Sequence, residues 1–197
     1  MSKNEAKSFF ILLIFLNIST IYAQTTIDKI NGNWELLVDG KPFEVKGVTF
    51  GYDNDNYDAH FKDLKFLGVN TIRTWATGNN TTKLLDAAHK NGIKVMVGIW
   101  MRHGRPGMED DDSFNYLENT KGKEDMYINA LNSVDTYKNH PAVLTWGIGN
   151  EVYLNTATDE EKIAYSQLLE RICSAIKLKD PNHPITSVEA WTFGFDW

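Results

Sequence analysis

The sequence predicts an α/β fold: a parallel sheet whose strands are joined by crossover helices. Three observations predict it. Stretches of strand length and stretches of helical spacing alternate from residue 58 onward. The run VLTWGI at 143–148 is apolar, too short for an ordinary helix and flanked by Pro141 and Gly149, as a fully buried strand should be. That run then delivers an amide, Asn150, and a carboxylate, Glu151, at its carboxyl end, where parallel α/β sheets place their chemistry.

The elements follow in order. Lys3 and Lys7, the apolar run 9–16 and the small residue Ala23 before Gln24 have the form of a cleaved export signal over 1–23. That run is too short to span a bilayer, so no stable membrane insertion is expected after cleavage. Residues 24–197 then form one domain. WELLVDGKPFEVKGV, at 34–48, alternates on both sides of Asp39-Gly40 and predicts a β-hairpin, whose second arm runs on through Glu44 to Phe50 as a first buried strand. A helix from Asp58 follows, with Phe61, Leu64, Phe66 and Leu67 on one side and Gly68 closing it.

NTIRTWA (70–76) is the next strand, 81–91 a helix with Leu84, Leu85, Ala87 and Ala88 inward, and KVMVGIWM (94–101) a strand. Residues 102–122 form a long polar loop where a third strand hands over to its helix, a place where loops carry function. Residues 124–138 are helical, 143–148 the fourth strand, 159–178 a helix with an acidic start, and ITSVEAW (185–191) a fifth strand.

Composition narrows the function. With 42% hydrophobic residues and 12% aromatics, a sizeable core is available. The net charge is −6 and no basic block occurs, which argues against a nucleic-acid partner. The single cysteine, Cys173, permits no internal disulfide and is read as a small buried hydrophobe. Glu109 to Asp112, EDDD, lacks the spaced pattern of a calcium loop and is read as a solvated acidic stretch.

Five strands in βα order leave two architectures. An eight-fold barrel takes roughly 250 residues, so this chain of 197 would be part of one. An open doubly wound sheet would be complete with five strands, but no glycine-rich phosphate turn follows the first strand, where Asp53, Asn54 and Asp55 stand instead.

The succession of RTW, helix, strand, long loop, helix and NHPAVLTWGIGNEV resembles the first half of a clan A retaining glycoside hydrolase. The hairpin before it is similar to the segment that leads into the barrel in family 2 and related β-glycosidase and glucanosyltransferase domains. The resemblance covers about 34–191, and its most specific part is the Asn-Glu pair after His140-Pro141 and the apolar run, together with Arg73. It implies a (β/α)8 TIM barrel of which about the first five βα units are present, preceded by the hairpin.

The resemblance further implies that Glu151 is the general acid/base and that Asn150 binds the sugar 2-hydroxyl. Arg73 matches the arginine beneath the catalytic carboxylates. Trp75, Trp100, His103 and Trp191 end their strands where such barrels face substrate, although the tryptophans could equally be packing. A carboxyl group that protonates the departing oxygen is what glycosidic cleavage requires. Two adjacent strand residues reach one sugar only if the strand ends or bulges there, for which Gly147 and Gly149 provide.

A retaining enzyme also needs a nucleophile, which the family places on a seventh strand; this chain does not supply it, and Glu189, though inward, is not assigned to that role. The expectation is thus an exported hydrolase of O-glycosyl bonds in a β-linked poly- or oligosaccharide, acting without cofactor or metal and represented by its amino-terminal part. A transglycosylase of the same fold and a non-catalytic carbohydrate-binding half barrel are the alternatives.

Overall fold

The computed structural model describes residues 24–51, 56–104 and 113–190. The export signal lies outside them. Among the described residues, no helix is long and apolar enough to cross a membrane.

The chain opens with an antiparallel three-stranded sheet of β1 (Thr25–Ile30), β2 (Asn33–Val38) and β3 (Lys41–Pro42). Two tight turns build it. Asp39-Gly40, the turn expected from the sequence, has φ of 52° and 73°, and Asn31-Gly32 repeats the geometry with 51° and 89°. Both central residues with positive φ match the right-handed twist of the flanking strands. β1, unexpected from the sequence, pairs with all of β2.

The second arm does not run on as a continuous strand into the next sheet. It stops at Pro42, and the first parallel strand, β4, starts afresh at Gly47–Thr49. The connector is fastened by Asn70, whose Oδ1 accepts from the Lys46 N–H (2.8 Å) and whose Nδ2 donates to the Glu44 carbonyl (2.8 Å).

The main body is a parallel sheet in the order β4, β5 (Thr71–Arg73), β6 (Lys94–Ile99), β7 (Val143–Ile148) and β8 (Ile185–Ser187). Helices α1 (Tyr57–Phe66), α2 (Thr81–Lys90), α3 (Thr120–Tyr137) and α4 (Asp159–Lys179) connect them. Spatial order equals chain order, with no reversal. Because such crossovers are right-handed, all four helices fall on one face of the sheet. This is the construction of a barrel wall. A doubly wound sheet would reverse its order at a switch point and carry helices on both faces, so the open-sheet reading is set aside.

Helix ends follow local chemistry. Asn119 caps α3 by accepting from the Gly122 N–H (2.8 Å), and Thr158 caps α4 by accepting from the Glu161 N–H (3.2 Å). Asp159, Glu160 and Glu161 sit in the first turn of α4 and Lys177 and Lys179 in its last, each matching the sign of the helix dipole.

The core lies between the sheet and these helices. Ile72, Val95, Val97, Ile99, Trp146 and Ile148 meet Phe61, Leu84, Leu85, Ala88, Val134, Ile172 and Ile176, all buried. β7 is buried at every position, as its largely apolar sequence demands, and its one hydroxyl, on Thr145, donates to the Pro184 carbonyl (2.7 Å). By strand alternation Arg73 and Met96 take the opposite, barrel-interior face.

Some expectations need correction. Phe66 and Leu67 belong to no apolar face: at 91% and 73% exposure they lie on the outside of the α1 terminus, and Phe61 alone of that set is fully buried. β4 is exposed rather than buried because it is an edge strand, with no neighbour on its far side among the described residues. The fifth strand ends at Ser187, and Trp191 lies outside the described residues, as does the acidic stretch 109–112.

Candidate active site

β7 ends at Ile148, and the next three residues break the strand geometry. Gly149 and Glu151 both take left-handed backbone conformations, with φ of 73° and 54°. For Glu151 this costs of the order of 1–2 kcal/mol. The altered backbone is held by neighbouring strands. The Gly149 N–H donates to the Ile99 carbonyl (2.9 Å), and the Glu151 N–H donates to the Val188 carbonyl (2.7 Å). Gly149 has no alternative: a Cβ there would meet the Tyr165 hydroxyl at 2.7 Å and a Val152 methyl at 3.0 Å.

The break brings Asn150 and Glu151 to the same neighbour. Arg73, at the end of β5, donates from Nη2 to Asn150 Oδ1 at 2.7 Å. Burial lowers the Arg73 guanidinium below its ordinary value, and the Glu151 carboxylate acts in the opposite direction, so the cation lies within electrostatic reach of both residues. The Arg73 Nε is buried with no partner among the described residues. Its guanidinium carbon also stands 5.8 Å from the centre of the Trp75 ring.

His103 follows β6 and is only 2% exposed. Its Nε2 lies 2.7 Å from the Asn150 carbonyl oxygen, which can only accept, so Nε2 carries the proton. The Trp100 ring packs on it at 4.8 Å. His103 was expected to face substrate. The structure instead buries it behind Asn150, where it fixes the backbone of that residue.

The segment after Glu151 is locked in turn. The Glu151 carbonyl accepts from the Asn155 N–H (3.1 Å) and from its side-chain amide (2.9 Å), and the Asn155 carbonyl accepts from the Gly104 N–H (3.0 Å). Gly104, just after β6, is thereby tied through Asn155 to the backbone of Glu151 after β7.

Glu189 is the second carboxyl group near Glu151. Its Oε1 accepts from the Ser187 hydroxyl (2.7 Å), and its Oε2 lies 3.4 Å from the Tyr153 N–H. Burial raises it above the ordinary carboxyl value, and the charge of Glu151 adds to the rise. Close packing also shapes the wall at β6. A Cβ on Gly98 would fall 2.1 Å from the Thr74 carbonyl, so the chain leaving β5 lies directly against the β6 backbone.

Arg73, Asn150, Glu151, His103, Trp75 and Trp100 are thus one cluster at the carboxyl ends of β5, β6 and β7. Tyr153, Asn155 and Thr74 support it and carry no signal in the sequence beyond closeness to the strand ends. Among the described residues, no group of three or more His, Cys, Asp or Glu is arranged to hold a metal ion.

The family model described as "Glycosyl hydrolases family 2, TIM barrel domain" matches residues 33–196. Among characterised proteins, the mannan endo-1,4-β-mannosidase F of Aspergillus clavatus is 24% identical over 200 residues, covering 77% of this chain and 44% of that protein. The β-glucuronidase of Paenibacillus borealis is 26% identical over 175 residues, covering 82% and 27%.

Among solved structures, a β-glucuronidase of Parabacteroides merdae superposes with a TM-score of 0.65 at 22% identity, over 88% of this chain and 21% of that one. The β-D-glucuronidase of Dictyoglomus thermophilum gives 0.64 at 22%, over 86% and 29%. At these identities the structural likeness speaks for the fold, and the chain spans between about a fifth and just under half the length of these relatives. With most of its length matched by the family model, the chain belongs to glycosyl hydrolase family 2, through the TIM barrel domain of that family.

Proposed function

We propose that this chain is the amino-terminal part of a retaining glycoside hydrolase barrel, exported from the cell, which opens O-glycosyl bonds of a β-linked poly- or oligosaccharide. Glu151 is the acid/base and Asn150 the group that binds the sugar 2-hydroxyl. The observation that carries this reading is the hydrogen bond of Asn150 to Arg73 across two strand ends, with Glu151 next in the chain and within electrostatic reach of the same cation. A β-linked sugar is also what the relatives' names share, β-glucuronidase and endo-1,4-β-mannosidase.

In the reaction, the Glu151 carboxyl group gives its proton to the departing glycosidic oxygen as the bond to the anomeric carbon breaks. The nucleophile, a second carboxylate roughly 5–5.5 Å away, takes up that carbon as a glycosyl ester. Glu151, now ionised, removes a proton from the water that hydrolyses the ester. The nucleophile belongs to a strand beyond the five described here. Glu189 is not assigned to that role: one of its oxygens accepts from the Ser187 hydroxyl, and burial raises its carboxyl group above the ordinary value, which disfavours the carboxylate a nucleophile must be.

The neighbours have graded roles. Arg73 orients Asn150, His103 holds the Asn150 backbone, and Trp75 and Trp100 offer ring faces to sugar; Trp191, outside the described residues, is proposed for the same role from its place in the sequence alone. In the complete protein, Glu151→Ala should slow cleavage of natural glycosides by roughly a hundred- to ten-thousand-fold. It should spare the bond-cleaving step on activated aryl glycosides, whose phenolate leaves without a proton. Azide, a nucleophile that needs no base, should then restore turnover on the aryl substrates. Equal losses on both classes without azide rescue would falsify the assignment.

A further inference from the structure

The segment after β7 has to be held in place, because Glu151 sits in left-handed backbone geometry that an L residue adopts only under constraint. Two consecutive residues just past β8 supply the hold on one side. The Val188 N–H donates to the Ile148 carbonyl (3.3 Å), and the Val188 carbonyl accepts from the Glu151 N–H (2.7 Å). Glu189 comes next, and its Oε2 faces the Tyr153 N–H at 3.4 Å. The backbone from 151 to 153 is thus gripped at both ends by neighbouring residues.

The grip is itself fixed. Glu189 Oε1 accepts from the Ser187 hydroxyl at 2.7 Å, so its two oxygens are divided between its own strand end and the segment it holds. Tyr153 is tied to α4, with its hydroxyl 2.9 Å from Ser166 Oγ and its ring centre 5.0 Å from that of Tyr165. A turn fastened at both ends restricts the rotation of the carboxyl group it carries.

Electrostatics suit a carboxyl group to this place. Glu189 lies within reach of Glu151 and His103, and burial, followed by the Glu151 charge, raises it above its ordinary value against the hydrogen bonds of Ser187 and Tyr153. A carboxyl group that resists ionisation still offers its carbonyl oxygen to an N–H, without setting a second negative charge against Glu151.

We propose that Glu189 is a positioning residue for the reaction: through the Tyr153 N–H, and beside Val188, it fixes the direction of the Glu151 carboxyl group toward the departing glycosidic oxygen. This role rests on the acid/base reading of Glu151 and involves neither nucleophilic attack nor contact with sugar.

The test is kinetic, on the complete protein, with the methyl and 4-nitrophenyl β-glycosides of one sugar, taken from glucose, galactose, mannose and glucuronic acid as the parent accepts. The methoxide needs a proton to leave and the nitrophenolate does not. Glu189→Leu removes both acceptor oxygens at similar volume. It should lower kcat on the methyl glycoside by about tenfold with KM little changed, while the nitrophenol burst that reports bond cleavage slows by less than about twofold. Glu189→Gln keeps an oxygen for the Tyr153 N–H and should recover most of the loss. A general weakening of the fold would slow both substrates together and give no such recovery.

Ser187→Ala, which releases Oε1, should show the same selectivity at about threefold, and it decides the matter if Glu189→Leu does not fold. The role is overturned by equal losses on the two glycosides, by full activity of Glu189→Leu or, where that variant does not fold, of Ser187→Ala, or by a Glu189→Gln protein no better than Glu189→Leu. Azide rescue of Glu151→Ala beside any of these results rejects the role of Glu189 alone, whereas failure of that rescue rejects the acid/base reading itself.

Discussion

Arg73 and Asn150 are joined by a 2.7 Å hydrogen bond between residues 77 positions apart, from the end of one strand to the end of another two places along the sheet. A charged donor on a half-buried amide is worth about 1.5–3 kcal/mol when the bond is lost. Arg73→Lys keeps the charge and loses the forked donor. It should lower kcat/KM on any accepted glycoside by roughly ten- to a hundredfold. Asn150→Ala should cost a similar factor on natural and aryl substrates alike, because contacts to the 2-hydroxyl strengthen at either transition state. If Arg73 acts through Asn150, the double variant should lose little more than the worse single one. Losses that multiply would show that the two residues act separately.

Gly149 is the position where backbone and packing both demand glycine. Gly149→Ala puts a Cβ into left-handed geometry and against the Tyr165 hydroxyl at 2.7 Å. Strain and overpacking together should cost about 2–5 kcal/mol, read by denaturant unfolding. The Tyr165 hydroxyl is buried with no partner among the described residues, so Tyr165→Phe alone should be neutral or slightly stabilising. Combined with Gly149→Ala, it should recover part of the loss. No recovery would place the whole cost in the backbone.

Much of this architecture is legible in the sequence where one signal acts alone. The apolar run of β7, bounded by Pro141 and Gly149, is found at its observed limits because a strand buried on both faces leaves no ambiguity of period. Asp39-Gly40 and the helix stops Gly68 and Gly92 are read from glycine's tolerance of positive φ, which all three adopt. Asn31-Gly32 carries the same signal; β1 is missed because its pattern of exposed residues lacks apolar alternation.

Phe66 and Leu67 mislead because helical spacing does not say where a helix runs out of neighbours. The partnership of Asn150 and Glu151 with Arg73 is suggested by resemblance alone, since no local pattern links residues so far apart. The Phe114 N–H donates to the His103 carbonyl from eleven residues on, a contact beyond the reach of pattern.

Export gives a prediction independent of chemistry. The charged start, the short apolar run and Ala23 fit a cleaved signal. The mature protein should begin near Gln24, and an intact-mass measurement on exported protein that still finds Met1 would refute this.

A buried carboxyl group, Asp180, and a half-buried one, Glu189, should make stability depend on pH with opposite signs. Asp180, 2% exposed, accepts from Trp146 Nε1 (2.7 Å) and from His183 Nδ1 (2.8 Å). Burial pushes its carboxyl group up, but the hydrogen bonds of His183 and Trp146, the attraction of His183 and the Asn182 N–H outweigh it, and the net displacement is downward. A carboxyl group lowered on folding contributes stability above its unfolded value of about 3.9, and that contribution is lost as pH falls through the lower folded value.

Glu189 is displaced the other way, first by burial and then by the charge of Glu151. Its protonated form is favoured in the fold, so its contribution is greatest below about 4.3 and declines as pH rises through the higher folded value. In urea unfolding of the complete protein, Glu189→Gln should flatten the decline on the alkaline side of pH 4.3 and change little below it. Asp180→Asn should instead remove stability at neutral pH, by about 2–5 kcal/mol, because Trp146 and His183 lose their shared anionic acceptor. Its difference from the parent should shrink as the medium becomes acid. A difference for Asp180→Asn that stays constant from pH 7 to pH 3 would show that the carboxylate charge contributes nothing there and that only its shape is needed.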